Sequence, residues 1–555
     1  YEIYQCDWSS DVCSSDLPKE SSLRYYVTKF DGSMGDAIIT QNSAHLFVDG
    51  RYGLQAKKQA IGYNIHITQL GQSIEKSWLD FLQDIRKDQI LLYDPAVMPV
   101  SLVKNLSNIN IQAIDQSFTS FIDFMPKVNK DYSLWEVNEN YCQSIKEKLS
   151  IFNDLLDNYE LSGLLLTKLD DIAWASNMRS DYFPYQATIP SIALIMKNKI
   201  MLGFSQDIYK NIESEYIFSV NNNDFFSNIK KLCTGNIGID ESELTKKHQE
   251  LLHNLGISLK ALLNPLALKK AIKHEKELLH MRQAFKKADE VVYQTINFVK
   301  QSYQKNQMLS EGEIQDYLES CFKQSNAKAL SFKPICAAGE NGAVIHYNTP
   351  NYQEKIPKNS LFLLDTGAFY EGGYATDLTR TFLLGNNATN WQKKMFTLVL
   401  KASIAGLSAR IKVGSSALQL DGIIRNILWQ NGLDFAHGTG HGVGINVHEF
   451  PPRIGPKAHN ILQEHQVFSI EPGIYIEGLG GVRIENLACL IKDPQLPDFL
   501  RVQPLTFCPF DEDLIDVDIL DNHEKSFLSY YKNQWQNNDS LMPKSFLLNN
   551  VMFAK

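Results

Sequence analysis

The sequence has no long apolar run, no low-complexity tract and no stripe of basic residues. Its longest apolar stretches, such as residues 191–196 and 361–364, fall far short of the ~20 residues that a membrane-spanning helix needs. No segment concentrates lysine and arginine as a nucleic-acid footprint does. We therefore expect neither a membrane nor a nucleic-acid partner. With 44% hydrophobic and 21% charged residues, the 555 residues suffice for about three globular domains.

Paired cysteines are also lacking. Beyond residue 17 the cysteines are scattered singly, without a CxxC motif: Cys142, Cys233, Cys321, Cys336, Cys489 and Cys508. This spacing indicates free thiols in a reducing compartment, so we expect a cytoplasmic location. A targeting signal stays open, because we expect the true N-terminus to be missing.

Residues 6–17 read CDWSSDVCSSDL, which looks like the conceptual translation of a sequencing adapter. A secretion signal fits poorly, because the segment lacks both a basic start and an apolar stretch. A disulfide or metal loop on Cys6 and Cys13 fits poorly as well, since no partner cysteine or histidine lies nearby. We therefore treat residues 1–17 as an artefact outside the fold. Four acids in this segment contribute to the formal net charge of −9, so the rest of the chain is only mildly acidic.

The remaining sequence reads as two α/β modules followed by a larger region. The predicted elements are strands at 36–40 and 44–48, a helix at 52–61, a helix at 137–159, a strand at 163–167 and a hairpin at 192–203. Both modules contain a strand, a polar turn, a strand and a helix, which favours a duplicated unit. The third region opens with a long amphipathic helix after residue 265. The apolar face of this helix needs a sheet to pack against. A short helix is predicted at 522–535.

Acidic and histidine residues beside glycines fall in three segments of the third region. The first is LFLLDTGAFYEGGYATDLTRTFLLG, where Asp365 ends one apolar strand and Asp377 opens the next. A hairpin would place the two carboxylates across from each other. An aspartate at a strand end is usually a turn former. Two of them on a buried hairpin, however, need a cation to offset their repulsion and desolvation.

The second segment is HGTGHGVGINVHEF, with His437, His441 and His448. Its four glycines make a helix costly, so we expect an extended strand with His437 and His441 on one side. Glycines at this density indicate that backbone or ligand approaches very closely. A single histidine is more often a core or surface residue, but three within a dozen residues favour a site.

The third segment is FSIEPGIYIEGLGGVRIENLACLI, in which Glu471 follows an apolar strand and Glu485 lies in the next one. A hairpin would again bring the two carboxylates together. Glutamates in apolar strands are poorly explained by solvation, because one strand face should be buried. Four carboxylates and one imidazole form a hard donor set that suits two ions such as Mn²⁺, Co²⁺ or Zn²⁺.

These segments resemble the pita-bread family of metallopeptidases, which includes aminopeptidases P, prolidases and methionine aminopeptidases. The resemblance implies five metal ligands: Asp365, Asp377, His441, Glu471 and Glu485. In AAGENGAVIHYN, His346 matches a family histidine that contacts substrate. His437 and His448 match histidines that position substrate and stabilise the oxyanion, and Glu471 is the implied proton shuttle.

The resemblance favours the long, three-domain branch of the family and covers residues 22–540. It implies an α/β protein with two creatinase-N-like domains, at 18–130 and 131–264, a pita-bread α+β catalytic domain at 265–502 and a C-terminal extension at 503–555. The first domain is expected to lack its opening strand and helix. Asp365 and Asp377 stand one residue further apart than is usual in the family, so the GGYA turn is expected to be enlarged.

The implied activity is hydrolysis of the N-terminal Xaa-Pro bond of peptides by a hydroxide bridging two divalent ions, with Mn²⁺ the first expectation and Zn²⁺ or Co²⁺ alternatives. The expected partners are peptides with proline at position two and a second copy of the chain in a homodimer. A dipeptide-specific prolidase and an inactive pita-bread binding protein are the rival hypotheses. The long layout argues against the first, and the presence of all five ligands against the second.

Overall fold

The computed structural model describes residues 2–4, 23–32, 34–70, 72–83, 89–116, 129, 131–205 and 211–537, with the backbone alone for residues 2–4. The chain divides into two compact units, Tyr1–Lys270 and Ala271–Lys555. Within the described ranges, none of the helices combines the length and apolarity needed to cross a bilayer.

The first unit begins with a six-stranded sheet. Its strands are β1 (Glu2–Tyr4), β2 (Asp36–Ile39), β3 (Ala44–Val48), β4 (Asn64–Ile67), β5 (Leu91–Tyr93) and β6 (Ile111–Ala113), in the order β4-β3-β2-β1-β5-β6. The helices are α1 (Leu23–Thr28), α2 (Gly53–Gln59), α3 (Ile74–Gln83) and α4 (Val100–Asn105). Buried Trp78 and Leu82 of α3 pack with Ile38 and Phe47 of the sheet. The two predicted strands and the first predicted helix are confirmed here.

Strand β1 corrects the expectation that residues 1–17 contribute nothing to the fold. Glu2–Tyr4 pair antiparallel with β2 and parallel with β5. Without this strand the backbone groups of β2 and β5 that face each other would lack ladder partners, which is costly inside a sheet. Tyr1 and residues 5–22, which include the adapter-like string, lie outside the described residues.

The second sheet of the first unit repeats the pairing pattern of the first. Its strands are β8 (Gly163–Leu166), β10 (Ser191–Met196), β11 (Lys199–Phe204), β12 (Ile217–Asn221), β13 (Ile237–Ile239) and β14 (Leu259–Ala261). They are ordered β12-β11-β10-β8-β13-β14, and only the pairs β10–β11 and β8–β10 are antiparallel. Strand β8 therefore occupies the position that β1 has in the first sheet. The predicted hairpin is confirmed, and the shared pattern supports the predicted duplication.

Helices and a short strand pair complete the second module. They are β7 (Leu134–Glu136), α5 (Ile145–Asn158), α6 (Leu169–Ser176), β9 (Met178–Ser180), α7 (Asn222–Leu232) and α8 (Lys246–Asn254). The predicted helix at 137–159 is wrong over its first eight residues. Ser144 and Glu147 form a reciprocal capping box, so the helix begins at Ile145.

The second unit follows the short helix α9 (Ala267–Ala271), which spans the division between the units. Its helices are α10 (Glu275–Gln304), α11 (Glu311–Gln324), α12 (Asn390–Leu407), α13 (Ala417–Trp429) and α14 (Asn522–Gln536). The long helix α10 buries Ala288, Val292 and Val299 against sheet residues such as Phe362 and Phe382. The predicted amphipathic helix and its sheet are thus confirmed, as is the predicted C-terminal helix.

The strands of the second unit form two larger sheets and two small ladders. They are β15 (Ala329–Leu330), β16 (Ile335–Ala338), β17 (Ser360–Thr366), β18 (Ala368–Phe369), β19 (Leu378–Leu384), β20 (Arg410–Lys412), β21 (Gly440–Gly442), β22 (Glu449–Ile454), β23 (Val467–Ile470), β24 (Gly473–Ile476), β25 (Gly480–Arg483), β26 (Asn486–Lys492) and β27 (Phe499–Pro504). The larger sheets have the orders β16-β17-β19 and β20-β27-β26-β23-β21-β22. Helices α12, α13 and α14 pack with the second of these in one hydrophobic core.

Candidate active site

The hairpin of β17 and β19 carries Asp365 and Asp377. Asp365 pairs with Thr379, and Asp377 directly precedes Leu378, the partner of Thr366. The two aspartates are therefore on one face of the hairpin and across from each other, as predicted, although they are diagonal neighbours and not a directly opposed pair. Next to Asp377 the two backbones of the hairpin lie very close together. A Cβ on Gly367 would lie 1.8 Å from the Thr376 carbonyl oxygen, so only glycine fits there.

The glycine-rich segment runs close to a neighbouring backbone, as predicted. A Cβ on Gly440 would lie 1.9 Å from the carbonyl oxygen of Ser469, so only glycine fits. His441 is in the three-residue strand β21. His437 precedes this strand, so the extended strand that was predicted to contain both histidines contains only His441. The rings of His437 and His441 nevertheless both lie near Glu471.

Glu471 and Glu485 face each other across two consecutive ladders. Ile470 pairs with Asn486 in the first ladder and Gly473 pairs with Arg483 in the second. This register places the two glutamates opposite each other, as the predicted hairpin requires. Glu485 itself lies in the short break between β25 and β26, not within a strand. There its N–H donates to the Thr379 carbonyl at 3.1 Å, which joins it to β19.

The five predicted ligand residues converge on one region. Ligand atoms of Asp377, His441 and Glu485 all lie within 4.8 Å of one another. The His441 Nε2 atom is 3.4 Å from Glu471 Oε1 and 3.5 Å from Asp377 Oδ2. Asp365 is close enough to repel the charges of Asp377 and Glu485.

The buried carboxylates repel one another and have lost their hydration, and a bound cation would offset both costs. Burial, followed by repulsion from Glu485, Asp365 and Glu471, raises the pKa of Asp377 well above its ordinary value. Burial, followed by repulsion from Glu471 and Asp365, raises the pKa of Glu485 in the same way. Among the described residues, Asp365 Oδ1 and Glu485 Oε1 are buried without a hydrogen-bond partner. Buried carboxylate oxygens of this kind are satisfied by metal ions.

His441 is oriented for coordination by its backbone surroundings. Its Nδ1 lies 3.1 Å from the Gly442 carbonyl oxygen, which can only accept, so Nδ1 carries the proton. The lone pair is then on Nε2, the atom that faces Asp377 and Glu471. The His441 N–H donates to Ser469 Oγ at 3.1 Å, and Ser469 Oγ donates to Glu471 Oε1 at 3.2 Å. Such outer contacts fix the tautomer and direction of a ligand.

Arg483 and Thr379 support the carboxylates and were missed in the sequence. Arg483 donates to Asp365 Oδ2 at 2.6 Å, to the Tyr475 hydroxyl at 2.9 Å and to Thr379 Oγ1 at 3.1 Å. Thr379 Oγ1 donates in turn to Glu485 Oε2 at 2.7 Å. Arg483 is only 2% exposed, so its charge offsets part of the carboxylate repulsion. A signal was present, since Arg483 stands two residues before Glu485 in an apolar sequence.

His437 is held between Tyr475 and a backbone carbonyl. Its Nδ1 lies 2.7 Å from the Gly438 carbonyl and 3.9 Å from Glu471 Oε2, and its Nε2 lies 2.9 Å from the Tyr475 hydroxyl. Burial raises the pKa of Tyr475 to about 12, although Arg483 acts in the opposite direction, so the phenol stays protonated. With Nδ1 donating to Gly438, Nε2 accepts the Tyr475 proton.

The other two predicted histidines, His448 and His346, lie in segments that contact His441 and Arg483, respectively. The ring of His448 is 4.3 Å from that of His441, and His448 is exposed to solvent. His346 is half-buried and follows Ile345, whose carbonyl accepts a hydrogen bond from Arg483 at 3.3 Å. The structure therefore brings the ring of His448 to that of His441, and the Ile345 carbonyl to Arg483.

The fold and this donor set define the class of the protein. Residues 279–492 match Metallopeptidase family M24, and residues 125–277 match the Creatinase/Prolidase N-terminal domain. A Sordaria macrospora protein named "Probable Xaa-Pro aminopeptidase P" is 30% identical over 569 residues, covering 95% of this chain and 92% of that protein. The chain belongs to the Xaa-Pro aminopeptidase P branch of metallopeptidase family M24, and it is a metal-dependent peptidase.

Solved structures share the fold. An X-prolyl aminopeptidase of Caenorhabditis elegans, described as a cytosolic enzyme with a di-nuclear active site, has a TM-score of 0.86 at 23% identity, covering 96% of this chain and 91% of that one. A prolidase of Pyrococcus horikoshii has a TM-score of 0.53 at 26% identity, covering 66% of this chain and 100% of that one. The predicted fold class, creatinase-like α/β domains followed by a pita-bread domain, is confirmed.

Proposed function

We propose that the protein removes the N-terminal residue from peptides whose second residue is proline, using two divalent metal ions. The observation that carries the proposal is that ligand atoms of Asp377, His441 and Glu485 all lie within 4.8 Å of one another. Glu471 Oε1 lies 3.4 Å from His441 Nε2, and the charge of Asp365 acts on Asp377 and Glu485. The identity of the family supports the same activity, since relatives named Xaa-Pro aminopeptidase P align over nearly the whole chain.

The residues of the site fit a pair of ions. Asp365, Asp377, His441, Glu471 and Glu485 would hold them, and the unpartnered oxygens of Asp365 and Glu485 would gain the contact they lack within the described chain. Oxygen-rich sets with one imidazole suit Mn²⁺, with Zn²⁺ or Co²⁺ as alternatives. The ions would supply the nucleophile by depressing the pKa of shared water, and would polarise the scissile carbonyl.

Glu471 is the proposed proton carrier. Its side chain is 18% exposed, whereas that of Asp377 is 6% exposed, so Glu471 is the carboxylate more accessible to a bound peptide. Ser469 Oγ donates to one of its oxygens, and the His437 ring lies 3.9 Å from the other. A carboxylate that is oriented by a hydrogen bond and open to the substrate can accept a proton and return it to the departing amine.

The three histidines outside the ligand set are proposed to act on the substrate. His448 and His346 would bind the carbonyl oxygen as negative charge develops on it, a form of stabilisation that often supplies a large part of a rate. His437 would position the substrate, because its own ring is fixed by Tyr475 and Gly438.

We propose that a free α-amine is recognised beside the metal-holding residues, so N-acetylated peptides, which lack a basic amine, should be poor substrates. On the far side of the scissile bond, proline offers a rigid ring and no N–H, which a compact pocket can select. We propose that the neighbourhoods of Tyr347 and Tyr475 line this pocket.

Three peptides test the proposal. Arg-Pro-Pro, Arg-Ala-Pro and the dipeptide Arg-Pro are each incubated with the Mn²⁺-loaded protein, and release of arginine is measured. Fast release from Arg-Pro-Pro alone supports the proposal. Preference for the dipeptide would transfer the assignment to a prolidase, and absence of release from all three would favour an inactive binding protein.

A further inference from the structure

Glu311 is a buried carboxylate outside the metal-holding set, and it receives four hydrogen bonds. It stands in the first turn of α11 and is only 2% exposed. Its Oε1 accepts from the Ala338 N–H at 2.8 Å and from Asn341 Nδ2 at 2.9 Å. Its Oε2 accepts from the Tyr347 hydroxyl and from the Asn351 N–H, both at 2.8 Å.

All four donors belong to one stretch of chain, residues 338–351, which we name the His346 segment. Apart from the strand end at Ala338 and a short 3-10 helix at Gly339–Ala343, this segment has no ladder of its own that could fix it. Two of the donors are backbone N–H groups near its two ends, and a third is the hydroxyl of the residue after His346. One side chain of α11 therefore contacts both ends of the His346 segment and the residue after His346.

The opposite side of the His346 segment rests on the strand that leads to the metal-holding residues. A Cβ on Gly481 would lie 1.9 Å from the Gly342 carbonyl oxygen, and a Cβ on Gly480 would lie 2.7 Å from that of Gly339. Two residues further along β25, Arg483 donates to the Ile345 carbonyl at 3.3 Å. The segment is thus packed between Glu311 and β25, with His346 directly after the Ile345 contact.

We propose that Glu311 is a positioning residue that fixes His346 against the active site by holding the His346 segment on β25. The proposal rests on the proposed function of His346 in substrate binding. A carboxylate is required, because all four partners are donors and an ionised carboxylate only accepts. An amide in its place would direct its own N–H₂ at the backbone N–H of either Ala338 or Asn351, neither of which can accept.

The variant Glu311→Gln tests this. We expect kcat/KM for Arg-Pro-Pro to fall about 10- to 100-fold, the usual consequence of a small misplacement of a reacting group. Bound metal should stay at the wild-type stoichiometry. Hydrogen exchange of amides in residues 338–351 should accelerate about tenfold or more. Glu313→Gln is the matched control: it lies on the same helix and contacts Ser310 and Lys355, so exchange and activity should stay unchanged.

A double-mutant cycle separates positioning from general support of the fold. In a His346→Ala background, measured by single turnover with enzyme in excess, Glu311→Gln should lower the rate by less than about twofold. Equal losses in both backgrounds, or an unchanged kcat/KM in the single variant, would overturn the proposal. If Glu311→Gln does not fold, Asn341→Ala removes one donor of the same set and should show a smaller loss with the same dependence on His346. Should wild-type protein not cleave Arg-Pro-Pro, the proposed function fails, while the exchange comparison still decides whether Glu311 holds the segment.

Discussion

Glu471 is the residue whose replacement should affect chemistry most and folding least. Glu471→Gln keeps the shape of the side chain but removes the proton-accepting oxygen. We expect kcat to fall by about 10²- to 10⁴-fold. The thermal midpoint of the metal-free protein should not fall, because one of several mutually repelling carboxylates becomes neutral. Steady-state kinetics with saturating Mn²⁺ and a thermal melt measure the two effects.

Glu464→Gln serves as the matched control for this change. Glu464 is an acid near the surface that pairs with Lys492 and His465, away from the predicted ligands. Its variant should keep wild-type kcat. Near-normal turnover of Glu471→Gln would show that another group handles the proton.

Asp289 makes a pH-dependent contribution to stability that can be measured separately. Burial raises its pKa to about 7, although the Phe507 N–H donates to it at 2.6 Å. In the unfolded chain the same carboxyl ionises near pH ~4. Its favourable contribution is therefore complete below about pH 4 and is lost as the pH rises to about 7, where folding must bury a charge.

The variant Asp289→Asn removes this dependence and keeps an acceptor for Phe507. Between pH values of about 4 and 7, the free energy of unfolding of the wild type should fall relative to that of the variant, by at most about 4 kcal/mol. Urea unfolding at several pH values provides the comparison. Parallel pH profiles for the two proteins would contradict the raised pKa.

For single residues, the sequence predicts which acids and histidines belong to the site. It does not predict the roles of residues that depend on contacts between distant parts of the chain. Acids and histidines beside glycines stand out because buried strands rarely contain them, and the structure brings all five predicted ligand residues together. Their metal-binding role stays a prediction. Thr379 and Glu311 did not stand out, since a threonine and a helix-terminal glutamate are ordinary in sequence, and Arg483 was missed although it stands two residues before Glu485 in an apolar sequence. Their function comes from partners that are distant along the chain.

Among the secondary-structure elements, the contact of β25 with the His346 segment has a direct test. Gly481→Ala would place a Cβ 1.9 Å from a backbone oxygen, which cannot move aside as a flexible side chain could. We expect a loss of at least about 2 kcal/mol in stability, a typical cost of overpacking, together with reduced activity. Gly422→Ala is the contrasting change in α13, where nothing lies within 4 Å. It should stabilise the protein by roughly 0.5–1 kcal/mol, because alanine favours a helix.

Denaturant unfolding of both variants measures these effects. A Gly481→Ala protein as stable as the wild type would mean that β25 and the His346 segment do not meet as closely as described.

The elements themselves were predicted well where periodicity is strong and less well at their ends. Strands β2 and β3, the β10–β11 hairpin and helix α10 follow directly from their apolar patterns. Helix α5 begins later than predicted because a capping box at Ser144 decides its start. The diagonal placement of Asp365 and Asp377 depends on ladder register, which one sequence does not specify.

At the scale of the whole molecule, the two sheets of the first unit share one topology. The similarity of residues 35–52 and 191–209, each of which reads as strand, polar turn, strand and helix, was enough to predict a repeated module. The role of Glu2–Tyr4 could not be predicted, because three residues give no periodicity, and the need for a strand between β2 and β5 is visible only in the assembled sheet. The domain limits at residues 130, 264 and 502 stay predictions.

The central claim, that two metal ions held by this donor set carry out the reaction, is tested most directly by removing and restoring the metal. The protein is treated with a chelator, dialysed, and titrated with Mn²⁺ while bound metal and release of arginine from Arg-Pro-Pro are followed together. We predict that activity disappears with the metal and returns to its full value as two ions bind per chain. Activity that survives complete removal of metal, or a site that saturates without binding a second ion, would contradict the account.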